Sequence, residues 1–228
     1  MRWTETLGTE VDSVLSTAYA ERDGRVTPED VAGNAAVKIE ATFLYADLAG
    51  SAGIAAACPW DTTAKIISAY LGCAVRLIRA YGGEIRSFDG DRVMGVFVGE
   101  NQQTHAVRCA LEIDWCTVKL IQPKATQRFR SVRETDVKIQ QACGIDCGVS
   151  RAVRAGIRNN ADLIWIGKAP SFAAKLSDIR EYPYCTFISS RVHAKLAVAD
   201  KVQNGENIWE SRTFKDETVY RAKRMRTP

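Results

Sequence analysis

The strongest constraint on the fold is the succession of patterns between residues 37 and 98. Val37-Lys-Ile-Glu-Ala-Thr-Phe-Leu-Tyr-Ala alternates at first and then runs continuously apolar, as a strand covered on both faces does. It ends abruptly at Asp47-Leu-Ala-Gly-Ser. From Thr62 to Tyr81, Ile66, Ile67, Tyr70, Leu71, Ala74, Val75, Leu77 and Ile78 recur with a helical period, and Gly82-Gly83 closes the run. Two short strands follow, Glu84-Ile-Arg-Ser-Phe and Arg92-Val-Met-Gly-Val-Phe-Val, separated by Asp89-Gly90-Asp91. Asp-Gly between apolar runs predicts a tight hairpin of type I′, whose two central residues need positive φ. A buried strand, a long helix and a hairpin in this order leave few alternatives to a helix-covered, largely antiparallel sheet.

The later pattern extends the same order. A second helix is expected from about Thr104 to Leu120, with Val107, Ala110, Leu111, Trp115 and Val118 on one stripe. Polar residues 122–136 read as a loop, Val137 to Ser150 as an alternating strand, and Leu163-Ile-Trp-Ile-Gly as another. Pro170 to Leu176 looks like a helix start, with Pro in its first turn, and smaller elements fill 184–220. The order β-α-β-β-α-β predicts an α+β, ferredoxin-like split-βαβ arrangement. Residues 1–36 read as an N-terminal helix and connector outside the main core, 37–221 as the folded domain, and 222–228 as a basic tail in solvent.

Composition narrows the class of function without naming it. With 46% hydrophobic and 25% charged residues, the 228-residue chain is neither disordered throughout nor fibrous. A formal net charge of +4 is too small to demand a nucleic acid, although it favours a site that holds a polyphosphate. Seven cysteines, an odd number without a CxxC pair, fit reduced thiols in a reducing compartment. The start has no secretory h-region and no uncharged apolar run reaches the ~18 residues of a membrane span, so a cytoplasmic protein is expected. Phosphate-loop, dinucleotide-binding, HExxH and GxSxG motifs are absent, and His105 and His193 stand alone.

What remains is a pair of carboxylates. Asp47 follows the apolar strand directly, and Asp91 lies in the hairpin that the topology places beside it. Two carboxylates a few ångströms apart raise each other's pKa unless a cation lies between them. With oxygen donors and no nearby His or Cys, that cation is a hard one, Mg²⁺ or Mn²⁺. Each residue alone also fits a cap or a turn.

Four segments resemble the class III nucleotidyl cyclases, in that family's order across residues 37–221. Phe43-Leu-Tyr-Ala-Asp-Leu-Ala-Gly-Ser is similar to their first metal motif, and Tyr81-Gly-Gly-Glu-Ile-Arg-Ser-Phe-Asp-Gly-Asp-Arg-Val-Met-Gly-Val-Phe to their hairpin. Cys143-Gly-Ile-Asp-Cys-Gly and Ile164-Trp-Ile-Gly-Lys-Ala-Pro-Ser-Phe-Ala-Ala-Lys-Leu resemble the later strand and strand-helix unit. The resemblance implies a homodimer with sites at its interface and two divalent cations, Mn²⁺ or Mg²⁺. Asp47, Asp91 and the Leu48 carbonyl would be the ligands. It also implies that Ser171 and Lys175 stand where the family's partner subunit supplies an Asn and an Arg. Lys keeps the charge but loses the bidentate fork of Arg. A phosphate-binding cation would fall at Arg212 or Lys215.

The base-reading positions depart from both purine patterns. Ser87, beside Arg86, and Ile164, beside Trp165, occupy them, while Tyr45, Phe88 and Trp165 could narrow the pocket around a smaller base. The pattern looks closest to the pyrimidine cyclases of bacterial Pycsar anti-phage systems. That likeness implies conversion of UTP to cyclic UMP, with a separate effector protein reading the product. No nucleic-acid or membrane partner and no internal regulatory module are expected. The alternatives are a cytidylate cyclase acting on CTP, a divergent adenylate or guanylate cyclase, and a non-catalytic nucleotide- or RNA-binding domain.

Overall fold

The computed structural model describes residues 3–25, 28, 31–157, 160–203 and 205–228. The chain opens with α1 (Trp3–Leu15), β1 (Ala20–Asp23), β2 (Ala35–Ala49), α2 (Ser51–Ala57) and α3 (Trp60–Ala80). The hairpin β3 (Glu84–Asp89) and β4 (Arg92–Phe97) leads into α4 (Gln102–Trp115), a π-helical turn (Cys116–Ile121), α5 (Gln122–Arg128) and α6 (Arg130–Thr135). Next come β5 (Gln140–Ile157), β6 (Asn160–Ile166), α7 (Lys168–Ser177), β7 (Thr186–Ser189) and α8 (Ser190–Lys195). A short hairpin, β8 (Val202–Gln203) and β9 (Glu206–Asn207), precedes β10 (Glu210–Phe214) and β11 (Glu217–Ala222).

Among the described residues, nine strands form one sheet in the order β10-β11-β7-β5-β2-β4-β3, with β1 joined to β2 and β6 to β5. Pairing is antiparallel except for β1 with β2 and β5 with β7. This is the helix-covered α+β sheet that the element order predicts. β2 lies inside the sheet, between β4 and β5, and its apolar residues are buried on both faces. Leu44, Ala46 and Leu48 meet the stripe Ile66, Tyr70, Ala74 and Ile78 of α3 together with α4. Ile39, Ala41 and Phe43 face the other way, toward Ala169 and Ala173 of α7. A Schellman motif ends α3: the Gly82 amide donates to the Arg79 carbonyl and Gly83 to Ile78. No helix among the described residues is long and apolar enough to cross a membrane.

Three local expectations are revised and a fourth is refined. Only Gly90 of the two central hairpin residues has positive φ, at 59°, so the turn follows the II′ pattern, with Gly first. Residues 122–135 form two short helices broken at Phe129, not a loop. Ile121, Ala125, Phe129 and Val132 recur every three or four residues against the core, a period hidden among polar neighbours. The stretch before residue 37 is not wholly outside: β1 pairs with β2, and Val31 packs on Val37 and Ala152. The basic tail is largely exposed, as expected, but ion pairs tie it down. Arg226 donates to Glu112 at 3.1 Å and supplies the counter-charge that this buried carboxylate needs, and Arg224 donates to the exposed Glu206 at 3.3 Å.

The seat of α7 depends on one residue. Gly144, paired with Tyr45 across the β2–β5 ladder, lies under the helix. A Cβ there would stand 2.1 Å from the Ala173 carbonyl oxygen and 2.3 Å from the Ser177 nitrogen. Backbone cannot give as a side-chain tip can. Gly144→Ala is expected to cost about 3 kcal/mol or more by overpacking, or to lift α7 from the sheet. Thermal unfolding should register this as a fall of roughly 6–12 °C for a chain of this size. An unchanged melting temperature would contradict this packing.

Candidate active site

Three cross-strand rows build the site on the α7 face of the sheet. Side chains opposite one another on paired strands share a face, and the registers place Asp89, Arg92, Asp47 and Ala142 in one row. Ser87, Met94, Tyr45 and Gly144 form the next row, with Val96 and Phe43 beyond it. Trp165 meets Phe43 edge-on, with ring centroids 5.3 Å apart, and its enclosed indole N–H has no hydrogen-bond partner among the described residues. An acidic end thus adjoins an aromatic and thioether wall on a single surface.

Asp47 is 5% exposed. Its carboxylate accepts a hydrogen bond from Arg180 and lies 3.6 Å from Arg92, which also pairs with Asp178 at 2.6 Å. Burial pushes the Asp47 carboxyl above its ordinary range; Arg92 and then Arg180 oppose the rise, and the neighbouring Asp91 charge adds to it. Burial thus outweighs the two guanidiniums at this carboxyl. Tyr45 beside it is likewise raised by burial, with Arg92 opposing. β4 stops opposite Asp47, so the β4-facing main-chain edge at Leu48 and Ala49 has no strand partner.

The donors of this corner are carboxylate and main-chain oxygens. No cluster of three or more Asp, Glu, His or Cys suited to a metal occurs among the described residues. Two carboxylates with an open carbonyl edge fit a hard divalent cation that takes its remaining ligands from substrate phosphates. Asp47 and Asp91 would hold it, with the Leu48 carbonyl in reach of the same edge.

The other expected residues divide. Tyr45 and Ser87 share the site face, one row from Asp47. Arg86 is the extra residue of a bulge in β3 and pairs with Glu84. Phe88 pairs with Val93 and so lies on the opposite face from Ser87, more than half exposed. Ile164 and Trp165 alternate on β6, so one protomer cannot present both to a single pocket: Trp165 turns inward and Ile164 outward. Ser171 and Lys175 are exposed, one turn apart on α7, and neither side chain has a hydrogen bond or ion pair among the described residues. Arg212 pairs with Glu181, the residue after Arg180. Lys215 occupies the β10–β11 turn with φ 49°, above the Phe214 ring. Sequence reasoning missed Arg92, Asp178 and Arg180. Arg92 could have been found by pairing the hairpin with the first strand, whereas no local pattern marks Arg180.

The fold is that of the class III nucleotidyl cyclases. A bacterial light-regulated adenylyl cyclase superposes with a TM-score of 0.67 at 20% identity, over 81% of this chain and 90% of that one. The adenylyl cyclase CyaB of P. aeruginosa gives a TM-score of 0.64 at 17% identity, over 82% and 95%. No protein-family model matches the chain. A uridylate cyclase of Rhodovulum sp. (strain MB263) is 39% identical over 97% of this chain and 96% of its own length. One from Burkholderia cepacia is 39% identical over 79% and 76%. The chain belongs to the uridylate cyclase family.

Proposed function

We propose that this protein is a uridylate cyclase that closes UTP to 3′,5′-cyclic UMP and releases pyrophosphate. The observation that carries the reading is the convergence of Asp47 and Asp91 at the end of β2, in a chain that aligns with a uridylate cyclase along almost its whole length. In the reaction, the ribose 3′-oxygen bonds to the α-phosphorus, the bond to the β-phosphate oxygen breaks, and the hydroxyl proton passes to solvent. Two divalent cations, Mn²⁺ or Mg²⁺, would supply activation of the hydroxyl and charge neutralisation on the triphosphate. Asp47 and Asp91 would hold them, with the Leu48 carbonyl as a further oxygen donor. Lys175 neutralises charge that develops on the transferring phosphoryl group, and Ser171 donates a hydrogen bond beside it. The Ser87, Met94 and Tyr45 row and the Trp165 ring border the base.

The working unit is a homodimer. On the β5–β6 ribbon, the register puts Val149, Ile157, Ile164 and Ile166 on one face, each 42% exposed or more. Arg151 and Asp162 stand on the same face among them; the exposure of these four apolar side chains supports burial against a second copy. It also accounts for the unpartnered Ser171 and Lys175, which serve the partner's Asp47 and Asp91. Residues 37–221 form the cyclase domain, with 1–36 and 222–228 as its flanks; of the described flanking residues, β1 and Val31 join the domain, whereas α1 is exposed along its whole length. Arg212 or Lys215 reaches the outer phosphates. The protein acts in the cytoplasm, and cyclic UMP is a messenger made on phage infection for a separate effector, as in Pycsar defence.

The test offers UTP, CTP, ATP and GTP separately with Mn²⁺ and identifies products by mass spectrometry. Cyclic UMP from UTP is the expected product. Cyclic CMP as the main product would reassign the base, a purine product alone would overturn the pyrimidine reading, and no product would overturn the enzyme.

A further inference from the structure

Arg180 is held by two different parts of the molecule. One guanidinium nitrogen donates to the Ser177 and Ile179 carbonyls at the C-terminal end of α7, and the other donates to Asp47 Oδ2. Among the described residues, Asp47 is its only carboxylate partner. The two arginines on Asp47 are not equivalent. Arg92 is 24% exposed and anchored from behind by Asp178, whereas the Arg180 side chain is 41% exposed and open to solvent. Asp47 itself is nearly enclosed, and Oδ2, the oxygen that Arg180 holds, is also the one that Arg92 approaches at 3.6 Å.

From this geometry we infer that Arg180 is a positioning residue that stands in for the metal cation. It neutralises Asp47 before loading and must swing out for a divalent ion to take Oδ2. The inference rests on the metal reading of Asp47. An uncompensated carboxylate at 5% exposure is costly, so a resident cation keeps the strand end folded in the metal-free protein. A cation fixed within contact of a ligand oxygen also competes with any ion arriving there, by occupancy and by like-charge repulsion. Arg92 cannot take this role, because Asp178 holds it in place. Displacement of Arg180 also removes two donors from the end of α7, which ties the seating of that helix to the state of Asp47.

Calorimetric titration of MnCl₂ into substrate-free protein at pH 8 tests this on the wild type, Arg180→Gln, Arg180→Lys and Asp47→Asn. Arg180→Gln is expected to bind Mn²⁺ about five-fold tighter or more, with Arg180→Lys between it and the wild type. In melting scans Arg180→Gln should unfold at a lower temperature without metal and gain more from saturating Mn²⁺ than the wild type does. Unchanged or weaker Mn²⁺ binding by Arg180→Gln, alongside loss of binding in Asp47→Asn, overturns the stand-in role and leaves the metal reading intact. Wild-type binding by Asp47→Asn overturns the metal reading itself.

Discussion

Asp47→Ala should lower cyclic UMP formation by roughly a thousand-fold or more, because metal assistance is worth several kcal/mol in a phosphoryl transfer. Removal of one of two carboxylates leaves Asp91 alone with too few oxygens to fix a cation. The fold should survive the change. Arg92 keeps Asp178 as its partner, and Arg180 is exposed enough to turn toward solvent. The expected result is therefore an inactive protein whose melting temperature stays within a few degrees of the wild type, with Asp91→Ala behaving alike. Turnover is read by product chromatography, and unfolding by calorimetry. Activity within ten-fold of wild type in either folded variant refutes the pairing of these two aspartates.

The second large effect concerns which copy supplies Lys175. Lys175→Ala removes the free cation of α7 and should on its own reduce turnover about a hundred-fold, the scale of losing one pre-organised electrostatic contact. The two inactive variants, Asp47→Ala and Lys175→Ala, are then mixed and allowed to exchange subunits. A mixed dimer carries both lesions in one of its sites and none in the other. With half of the dimers mixed and one site restored in each, the mixture should recover roughly a quarter of wild-type activity. The alternative is a site completed within one chain. It has some structural appeal, since Asp178, three residues along from Lys175, already reaches Arg92. Under that alternative no activity returns on mixing, and this outcome would remove the dimer-interface site.

Much of the fold was legible because the elements that define it are long and strongly patterned. β2 announces itself by an apolar run that only a strand buried on both faces can accommodate, and α3 by a stripe that ends in paired glycines. Asp47 and Asp91 stood out as candidates for a related reason: each alone fits a cap or a turn, but the element order brings the two charges to one end of the sheet. The helices at 122–135 escaped because four apolar contacts were spread through a polar stretch. Ser87 and Phe88, like Ile164 and Trp165, take opposite faces by strand alternation alone, but which of each pair faces the site is fixed only by the ladder. Arg180 was invisible for a deeper reason. Its partner lies 133 residues earlier in the chain, and the loop that carries it has no local signature.

The bulge at Arg86 has a consequence beyond the site. β3 is the outermost strand at its end of the sheet, and a straight outer strand offers its free amides and carbonyls as a template for the next chain. Here the strand is only six residues long, is kinked between Ile85 and Ser87, and carries Glu84, Arg86 and Asp89 along it. Such an edge resists runaway strand-on-strand growth, so the protein can accumulate to high local concentration without seeding fibrils from this side.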